Sequence, residues 1–328
     1  MPFFPLLTTI AGLALALGAV LALCISLGGP RWPEPLAAVN APYAAVDYGG
    51  LPEVRYLEAA DGVLLGHRTY APLVDVPGRG SVVLVHGSSG SSLGMHPLAR
   101  ALAAAGFAVH ALDMRGHGGS GEKGHVAYVG QLEDDVASFM AKVQPVAPVT
   151  LMGFSSGGGF ALRFAASPRQ GLFHSYLLLS PFLGQDAPTA REDGGGWVAV
   201  GLPRLIALSL LNAVGVQAFN HLPVLRFGLN EVARAMLTPE YDFALATNFR
   251  PEADYMASLR RAGQPVALVA GADDDLFHAD RFEAVVRAAG KDWPVTLLPG
   301  VAHIPLTLDA TPIAAIVAAT ERLQTPGP

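Results

Sequence analysis

Short apolar runs alternate with segments of helical period along most of this chain. Residues 81–85, 149–152 and 265–270 are apolar at nearly every position, which is typical of strands buried on both faces of a parallel sheet. Residues 95–105 and 131–143 show the helical period instead. The alternation predicts an α/β fold with a mainly parallel sheet and helices on both faces. Ligands are then expected at the carboxyl ends of the strands.

Residues 184–262 break this alternation. They contain an apolar stretch of helical character, residues 197–219, between polar and mixed segments. An insertion of this size above the strand ends predicts a helical cap over the ligand site. The apolar stretch could instead form a second membrane span. Pro203 and Arg204 disfavour that alternative, because a central arginine costs about 2.5–3.5 kcal/mol on membrane insertion.

The first 30 residues contain no charged side chain, and residues 3–27 are almost wholly apolar. The run predicts a helix that crosses a bilayer, for which about 20 apolar residues suffice. A cleaved signal peptide fits less well, because no Lys or Arg precedes the run and because signal cores usually span about 7–15 residues. We therefore expect a membrane location with a single N-terminal anchor, on a side that Arg31 alone does not determine. The predicted regions are the anchor (1–30), a Pro- and Ala-rich linker (31–51), the core (52–183 and 263–328) and the cap (184–262).

Charge and composition exclude several classes of function. The net charge is -6 and no basic run exists, whereas nucleic-acid binding needs clustered Lys and Arg. Cys24 is the only cysteine, so no disulfide can form within the chain, and the ten histidines are scattered. We therefore expect no nucleic-acid partner, no metal site and no cofactor.

The five residues GFSSG that begin at Gly153 are the first candidate for chemistry. They follow an apolar strand and precede residues that can form a helix, which is the pattern of a nucleophile elbow. Such a turn needs glycine where a Cβ would clash with the backbone. Only Ser155 has glycine two residues before it and two after it, at Gly153 and Gly157, whereas Ser156 has Phe154 at the earlier position. Ser155 is therefore the predicted nucleophile.

A Gly- and Ser-rich loop follows the strand at residues 81–85. It could hold phosphate, but the Lys that a P-loop requires is missing. We expect instead that the backbone N–H of Ser88, together with that of Ser156, forms an oxyanion hole. His117 lies between glycines after a different strand, and a structural hydrogen bond is the simpler interpretation of that residue.

The remaining groups for serine catalysis follow two later strands. A serine hydroxyl becomes a good nucleophile when a histidine takes its proton and a carboxylate orients that histidine. His303 supplies the histidine, and one of Asp273, Asp274 and Asp275 supplies the carboxylate. The chain order Ser, Asp, His is the one that this scaffold uses.

At this point the sequence resembles the α/β-hydrolase superfamily, and within it the monoacylglycerol lipase, lysophospholipase and serine aminopeptidase group. The resemblance extends from about Gly62 to Leu323 and implies an α/β-hydrolase fold with a substrate-selecting cap. In this family the acid commonly lies three residues after the strand-ending glycine, which selects Asp274 and leaves Asp273 and Asp275 as alternatives. The motifs that carry the resemblance are HG at His86, DMRGHGGS from Asp113, GFSSG from Gly153, GADD from Gly271 and GVAH from Gly300.

The motifs and the resemblance together predict a serine hydrolase that works through an acyl-enzyme intermediate. The expected substrate is a small-molecule or lipid ester with an apolar acyl group, as for a carboxylesterase or a lysophospholipase-like lipase. A thioesterase or a peptidase would use the same triad, and a non-catalytic binding protein of the same fold is the alternative from another class. Neither the acyl chain length nor the oligomeric state follows from the sequence.

Overall fold

The computed structural model describes residues 3–74, 76 and 79–325, and the side chains of these residues other than 3–10, 14 and 193. This part of the chain contains strands in two sheets and helices on both faces of the larger one. The strands are β1 (Arg55–Glu58), β2 (Leu64–Tyr70), β3 (Ser81–Val85), β4 (Ala108–Leu112), β5 (Val149–Phe154), β6 (Ser175–Leu179), β7 (Val198–Val200), β8 (Pro223–Phe227), β9 (Glu240–Asp242), β10 (Val266–Gly271) and β11 (Val295–Leu298).

Helices lie before, between and after these strands, and α3 and α4 occupy the segments in which the helical period predicts them. They are α1 (Phe3–Leu27), α2 (Ala37–Asn40), α3 (His96–Ala104), α4 (Gln131–Val143), α5 (Ser156–Ala165), α6 (Leu202–Ala213), α7 (Glu231–Met236), α8 (Phe243–Asn248), α9 (Tyr255–Arg261), α10 (Phe282–Ala288), α11 (Pro305–Leu308) and α12 (Ala310–Gln324).

The main sheet has the strand order β1-β2-β4-β3-β5-β6-β10-β11. The pairs from β4 to β11 are parallel, and β1 and β2 add two antiparallel pairs at one edge. Every residue of β3, β5, β6 and β10 is buried, which explains their continuous apolar character. The predicted α/β class with a mainly parallel sheet is confirmed. Because they are parallel, β3, β5, β10 and β11 have their carboxyl ends on the same side of the sheet.

One predicted strand has a different place in the sheet. Residues 63–70 look like an edge strand in the sequence, yet β2 lies between β1 and β4. β1 takes the edge instead, and three of its four residues are exposed. A strand with so little buried surface has no apolar pattern in the sequence, which explains why β1 is not predicted.

The cap is mixed and not purely helical, which corrects the prediction. β7, β8 and β9 form a separate three-stranded antiparallel sheet, and α6 to α9 lie in the same region. The apolar stretch 197–219 therefore begins as strand β7 before it becomes α6. β7 is three residues long and its partner β8 comes after α6, so the pairing that makes it a strand is not local.

The segment predicted as a linker is packed against the cap. Residues 31–48, which we call the strap, contain α2 and a 3₁₀ turn at Pro42–Ala45. The Asn40 amide donates to the Gly228 carbonyl at 2.8 Å, and its oxygen accepts from the Asn230 N–H at 3.0 Å. The Trp32 ring lies 4.3 Å from each of the Arg226 and Arg234 guanidinium carbons, an arrangement that favours cation–π attraction.

The N-terminal helix α1 ends against the cap. Arg204 of α6 donates from Nε to the Ile25 carbonyl at 2.7 Å and from Nη2 to the Ser26 carbonyl at 3.2 Å. Residues 1 and 2 of the predicted anchor, and residues 326–328 of the predicted core, lie outside the described residues. No helix in the described ranges has both the length and the apolarity that crossing a membrane requires.

Candidate active site

Ser155 occupies a strained turn between β5 and α5. Its backbone has φ 56° and ψ -120°, outside the regions that non-glycine residues usually adopt. A Cβ at Gly153 would lie 2.0 Å from the Gly157 carbonyl oxygen, and a Cβ at Gly157 would lie 2.3 Å from the His86 carbonyl oxygen, so both flanking glycines are sterically required. Ser156 is the first residue of α5, where backbone N–H groups have no acceptor within the helix. The structure therefore has the elbow geometry that the GFSSG pattern predicts, with Ser155 at the turn.

Asp274 and His303 form a buried pair on the loops after β10 and β11. Asp274 Oδ2 lies 2.7 Å from His303 Nδ1, and each side chain is about 1% exposed. Asp274 Oδ1 accepts from the backbone N–H groups of Leu276 and Phe277, both at 2.9 Å. Burial by itself raises the pKa of Asp274, but the charge of His303 and its hydrogen bond outweigh burial and hold the pKa below the ordinary 3.8. The carboxylate therefore fixes the proton of the neutral imidazole on Nδ1 and leaves Nε2 as the acceptor.

The two neighbouring aspartates have other positions. Asp273 is exposed, and its backbone N–H donates to the Val301 carbonyl at 3.1 Å. Asp275 Oδ1 accepts from the backbone N–H of His303 at 3.1 Å, so it holds the loop rather than the imidazole. Of the three alternatives, the structure brings the Asp274 side chain to the His303 ring.

The loop after β3 lies directly against the elbow. A Cβ at Gly87 would come within 3.2 Å of the Ser155 Cβ. Ser88, Ser155 and His303 line one cavity, and the Phe154 ring is 4.7 Å from the His303 ring. The predicted site residues Ser88, Ser155, Ser156, Asp274 and His303 thus converge on one end of the sheet.

The DMRGHGGS segment forms hydrogen bonds with the loop after β3. Asp113 accepts from the Ser92 N–H at 2.7 Å and from the Gly119 N–H at 2.9 Å. His86 Nε2 accepts from the Met114 N–H at 3.2 Å, and burial lowers the pKa of His86, which favours its neutral form. These contacts give the motif a structural role.

Tyr241 of the cap is a site residue that the sequence does not reveal. Its hydroxyl accepts from the Ser89 N–H at 2.6 Å and lies 2.6 Å from His117 Nε2. His117 Nδ1 is 3.2 Å from the Arg115 carbonyl, which places the ring proton there and makes Nε2 the acceptor for the Tyr241 hydroxyl. The Ser89 hydroxyl adds a bond to the Thr238 carbonyl at 2.6 Å. Tyr241 lies in no motif, so no sequence signal points to it.

No group of three or more His, Cys, Asp or Glu side chains among the described residues is arranged to hold a metal ion. The chemistry available at the site is that of a serine, an imidazole, a carboxylate and backbone N–H groups.

Comparison with known proteins agrees with this architecture. Residues 77–222 match the family model of serine aminopeptidase, S33. A monoacylglycerol lipase of Mycolicibacterium smegmatis is 35% identical over 109 residues, which are 32% of this chain and 38% of that protein. This chain thus matches well under half the length of that relative.

Two solved structures extend the comparison to the fold. A soluble variant of the monoglyceride lipase from Saccharomyces cerevisiae, in complex with a substrate analog, has a TM-score of 0.62 at 21% identity and covers 84% of this chain and 96% of its own. A bacterial membrane phospholipase A, described as a virulence factor, has a TM-score of 0.57 at 18% identity. It covers 99% of this chain and 98% of its own, so the likeness includes the N-terminal region.

The parallel sheet, the strained elbow and the cap define an α/β-hydrolase fold. Over residues 77–222 the chain is similar to the α/β-hydrolase superfamily, and the solved structures share its fold. Within that superfamily it resembles the monoacylglycerol lipase, lysophospholipase and serine aminopeptidase group, as the motifs predict.

Tyr241→Phe should lower the free energy of unfolding by about 1–3 kcal/mol, because the Ser89 N–H and His117 Nε2 would remain buried without their partner. Urea denaturation of the full-length protein in detergent measures this free energy. Tyr128→Phe is the matched control, since the exposed Tyr128 donates its hydroxyl to Asp134 at the surface. Equal losses in the two variants would contradict the bridging role of Tyr241.

Proposed function

We propose that this protein is a serine hydrolase that cleaves esters of apolar acyl groups through an acyl-enzyme intermediate. The observation that carries the proposal is the buried 2.7 Å contact between Asp274 and His303, which lies on the same cavity as the elbow residue Ser155. Together, a nucleophile, a base and a carboxylate that orients the base match the requirements of acyl transfer. The resemblance to the monoacylglycerol lipase group supports the assignment.

In the proposed reaction, Ser155 Oγ attacks the ester carbonyl carbon and His303 Nε2 takes the serine proton. The negative carbonyl oxygen is stabilised by the backbone N–H groups of Ser88 and Ser156. The carbon–oxygen bond to the alcohol breaks as His303 returns the proton to the leaving oxygen. Water then attacks the acyl-enzyme by the same proton transfers, which releases the acid and restores Ser155. Asp274 keeps the imidazole oriented and stabilises its charged form in both steps.

Apolar walls around Ser155 support an ester with an apolar acyl group. Most of the surface of the cavities that reach Ser155 is apolar, which suits hydrocarbon chains. The likeness to a monoacylglycerol lipase points to the same class, a lipid ester. A thioesterase or a peptidase would use the same triad, so an assay panel should also contain thioesters and aminoacyl amides.

We also propose that α1 holds the protein at a membrane. Most of its described apolar side chains are exposed, among them Leu13, Leu17 and Leu23, at 59–67%. α6, which the end of α1 contacts, exposes Ile206 and Leu210 as well. Contiguous exposed apolar surface of this kind is rare in proteins that stay in water, and it suits contact with lipid.

Ser155→Ala should abolish both ester hydrolysis and labelling by a fluorophosphonate probe, because the probe reacts with an activated serine. Ser156→Ala is the matched control and should keep both, since only the backbone N–H of Ser156 is proposed to act. Far-UV circular dichroism checks that both variants fold. Labelling that survives in Ser155→Ala but disappears in Ser156→Ala would contradict the assignment.

Asp274→Asn should lower kcat by about 10⁴, because the amide would hold His303 in the wrong tautomer. Initial rates on a short water-soluble ester measure kcat. Asp273→Asn is the control and should change kcat little, since the Asp273 side chain is exposed. A large loss in the control with a small loss in Asp274→Asn would move the carboxylate role to Asp273.

The full-length protein should stay in the membrane fraction after a carbonate wash. The double variant Leu13→Arg and Leu17→Arg should move to the supernatant, because two charges on the exposed apolar surface of α1 oppose its burial in lipid. Val146→Arg, which places a charge on an exposed loop residue far from α1 in the chain, is the control and should stay with the membrane. Retention of the double variant would exclude α1 as the membrane attachment.

A further inference from the structure

Two cavities that are lined by largely different residues meet at Ser155. One, of about 330 Å³, is bordered by the strap, and we call it the strap cavity. The other, of about 640 Å³, is bordered by the cap sheet and α6, and we call it the cap cavity. Both volumes lie in the range of about 300–1,000 Å³ that is usual for ligand sites. Four residues line both cavities: Ser88, Ser155, Trp197 and Leu276.

Trp197 stands at the boundary between the two cavities. Its side chain is 8% exposed, and its Nε1 donates to the Ser88 hydroxyl at 2.9 Å. Its ring packs 5.4 Å from the Phe227 ring of β8. These contacts hold the indole in place between the two cavities.

Apolar side chains form most of the surface of each cavity. Val39 and Tyr43 of the strap border the strap cavity, together with Ala233 and Met236 of α7. The cap cavity is bordered instead by cap residues such as Val200, Leu202, Leu225 and Phe249. A group that fills either cavity gains burial of apolar surface, at about 25 cal/mol per Å².

The position of His303 decides which part of an ester each cavity takes. His303 borders the strap cavity, and the residues around the cap cavity do not include it. The imidazole must protonate the leaving alcohol oxygen, so this oxygen has to lie within hydrogen-bonding reach of Nε2. The alcohol part therefore extends into the strap cavity. The acyl chain then extends into the cap cavity, which Ser156 also lines.

We propose that the substrate carries an apolar group on both sides of the scissile ester, with the acyl chain in the cap cavity and an apolar part of the alcohol in the strap cavity. This inference rests on the proposed function and narrows its substrate class. An ester whose alcohol is small and polar would leave the apolar walls formed by Val39 and Met236 without contact. Esters of an alcohol that itself bears a hydrocarbon chain, such as a diacyl lipid or a long-chain alkyl ester, would use both cavities.

Two series of esters test the proposal on the full-length protein in detergent. In the alcohol series the acyl group is butanoyl and the alcohol is ethyl, butyl or octyl. In the acyl series the alcohol is ethyl and the acyl group is butanoyl, hexanoyl or decanoyl. The wild-type protein should prefer octyl over ethyl butanoate by at least about tenfold in kcat/KM, the low end of what one methylene is worth in an apolar pocket.

A variant that fills the strap cavity should weaken only the preference for a long alcohol, and a variant that fills the cap cavity should weaken only the preference for a long acyl chain. Ala233→Trp should lower the octyl-to-ethyl ratio, and Ala246→Trp, in the cap cavity, should lower the decanoyl-to-butanoyl ratio. Ala233→Leu and Ala246→Leu replace any tryptophan variant that does not fold. Ala235→Trp, exposed on α7 and outside both sets of lining residues, is the control and should keep both ratios.

Each outcome bears on a different claim. Ester hydrolysis without any gain from a longer alcohol would overturn this inference and leave the proposed function intact. A swapped pattern, in which Ala233→Trp alters the acyl preference and Ala246→Trp the alcohol preference, would overturn the assignment of the cavities. If the folded wild-type protein cleaved none of the esters, the proposed function would fail and this inference with it.

Discussion

The site depends on one steric constraint, the close packing of backbone at the elbow. A Cβ at Gly157 would lie 2.3 Å from the His86 carbonyl oxygen, and a Cβ at Gly153 would lie 2.0 Å from the Gly157 carbonyl oxygen. The elbow and the loop after β3 therefore touch through main chain, with no flexible side chain between them. Such contacts fix Ser155 relative to the backbone of Ser88 and Ser156 before a substrate binds, which is the preorganisation that the proposed oxyanion hole needs.

Close packing of backbone also positions the loops that carry Asp274 and His303. A Cβ at Gly271 would lie 2.1 Å from the Val301 carbonyl oxygen, so the loops after β10 and β11 are held together by backbone. These features are predictable because strands, glycines and strand-end polar residues are local patterns in the sequence. The choice among three adjacent aspartates is different, since it depends on which side chain points inward. Only family resemblance selects Asp274 from the sequence, and burial in the folded chain supports that choice.

Contacts between distant segments account for what the sequence does not predict. Tyr241 reaches Ser89 and His117 across more than a hundred residues of chain, and β7 is a strand because of a partner beyond α6. The strap looks like a linker because Pro and Ala carry no apolar period, yet Asn40 binds it to the cap. Each of these features results from packing between segments, which local propensity does not encode.

The strap connects the N-terminal helix to the wall of the strap cavity. Arg204 donates to the Ile25 carbonyl of α1 and to the Pro223 carbonyl of β8, so one side chain joins the helix to the cap. Hydrogen bonds from a charged donor contribute about 1.5–3 kcal/mol each, enough to resist a displacement of α1 from the cap. After α1, the chain continues to Trp32, whose ring contacts the guanidinium groups of Arg226 and Arg234. It then reaches Val39, which lines the strap cavity. Arg204 thus joins α1 to the cap, and the strap joins α1 to the wall of the strap cavity.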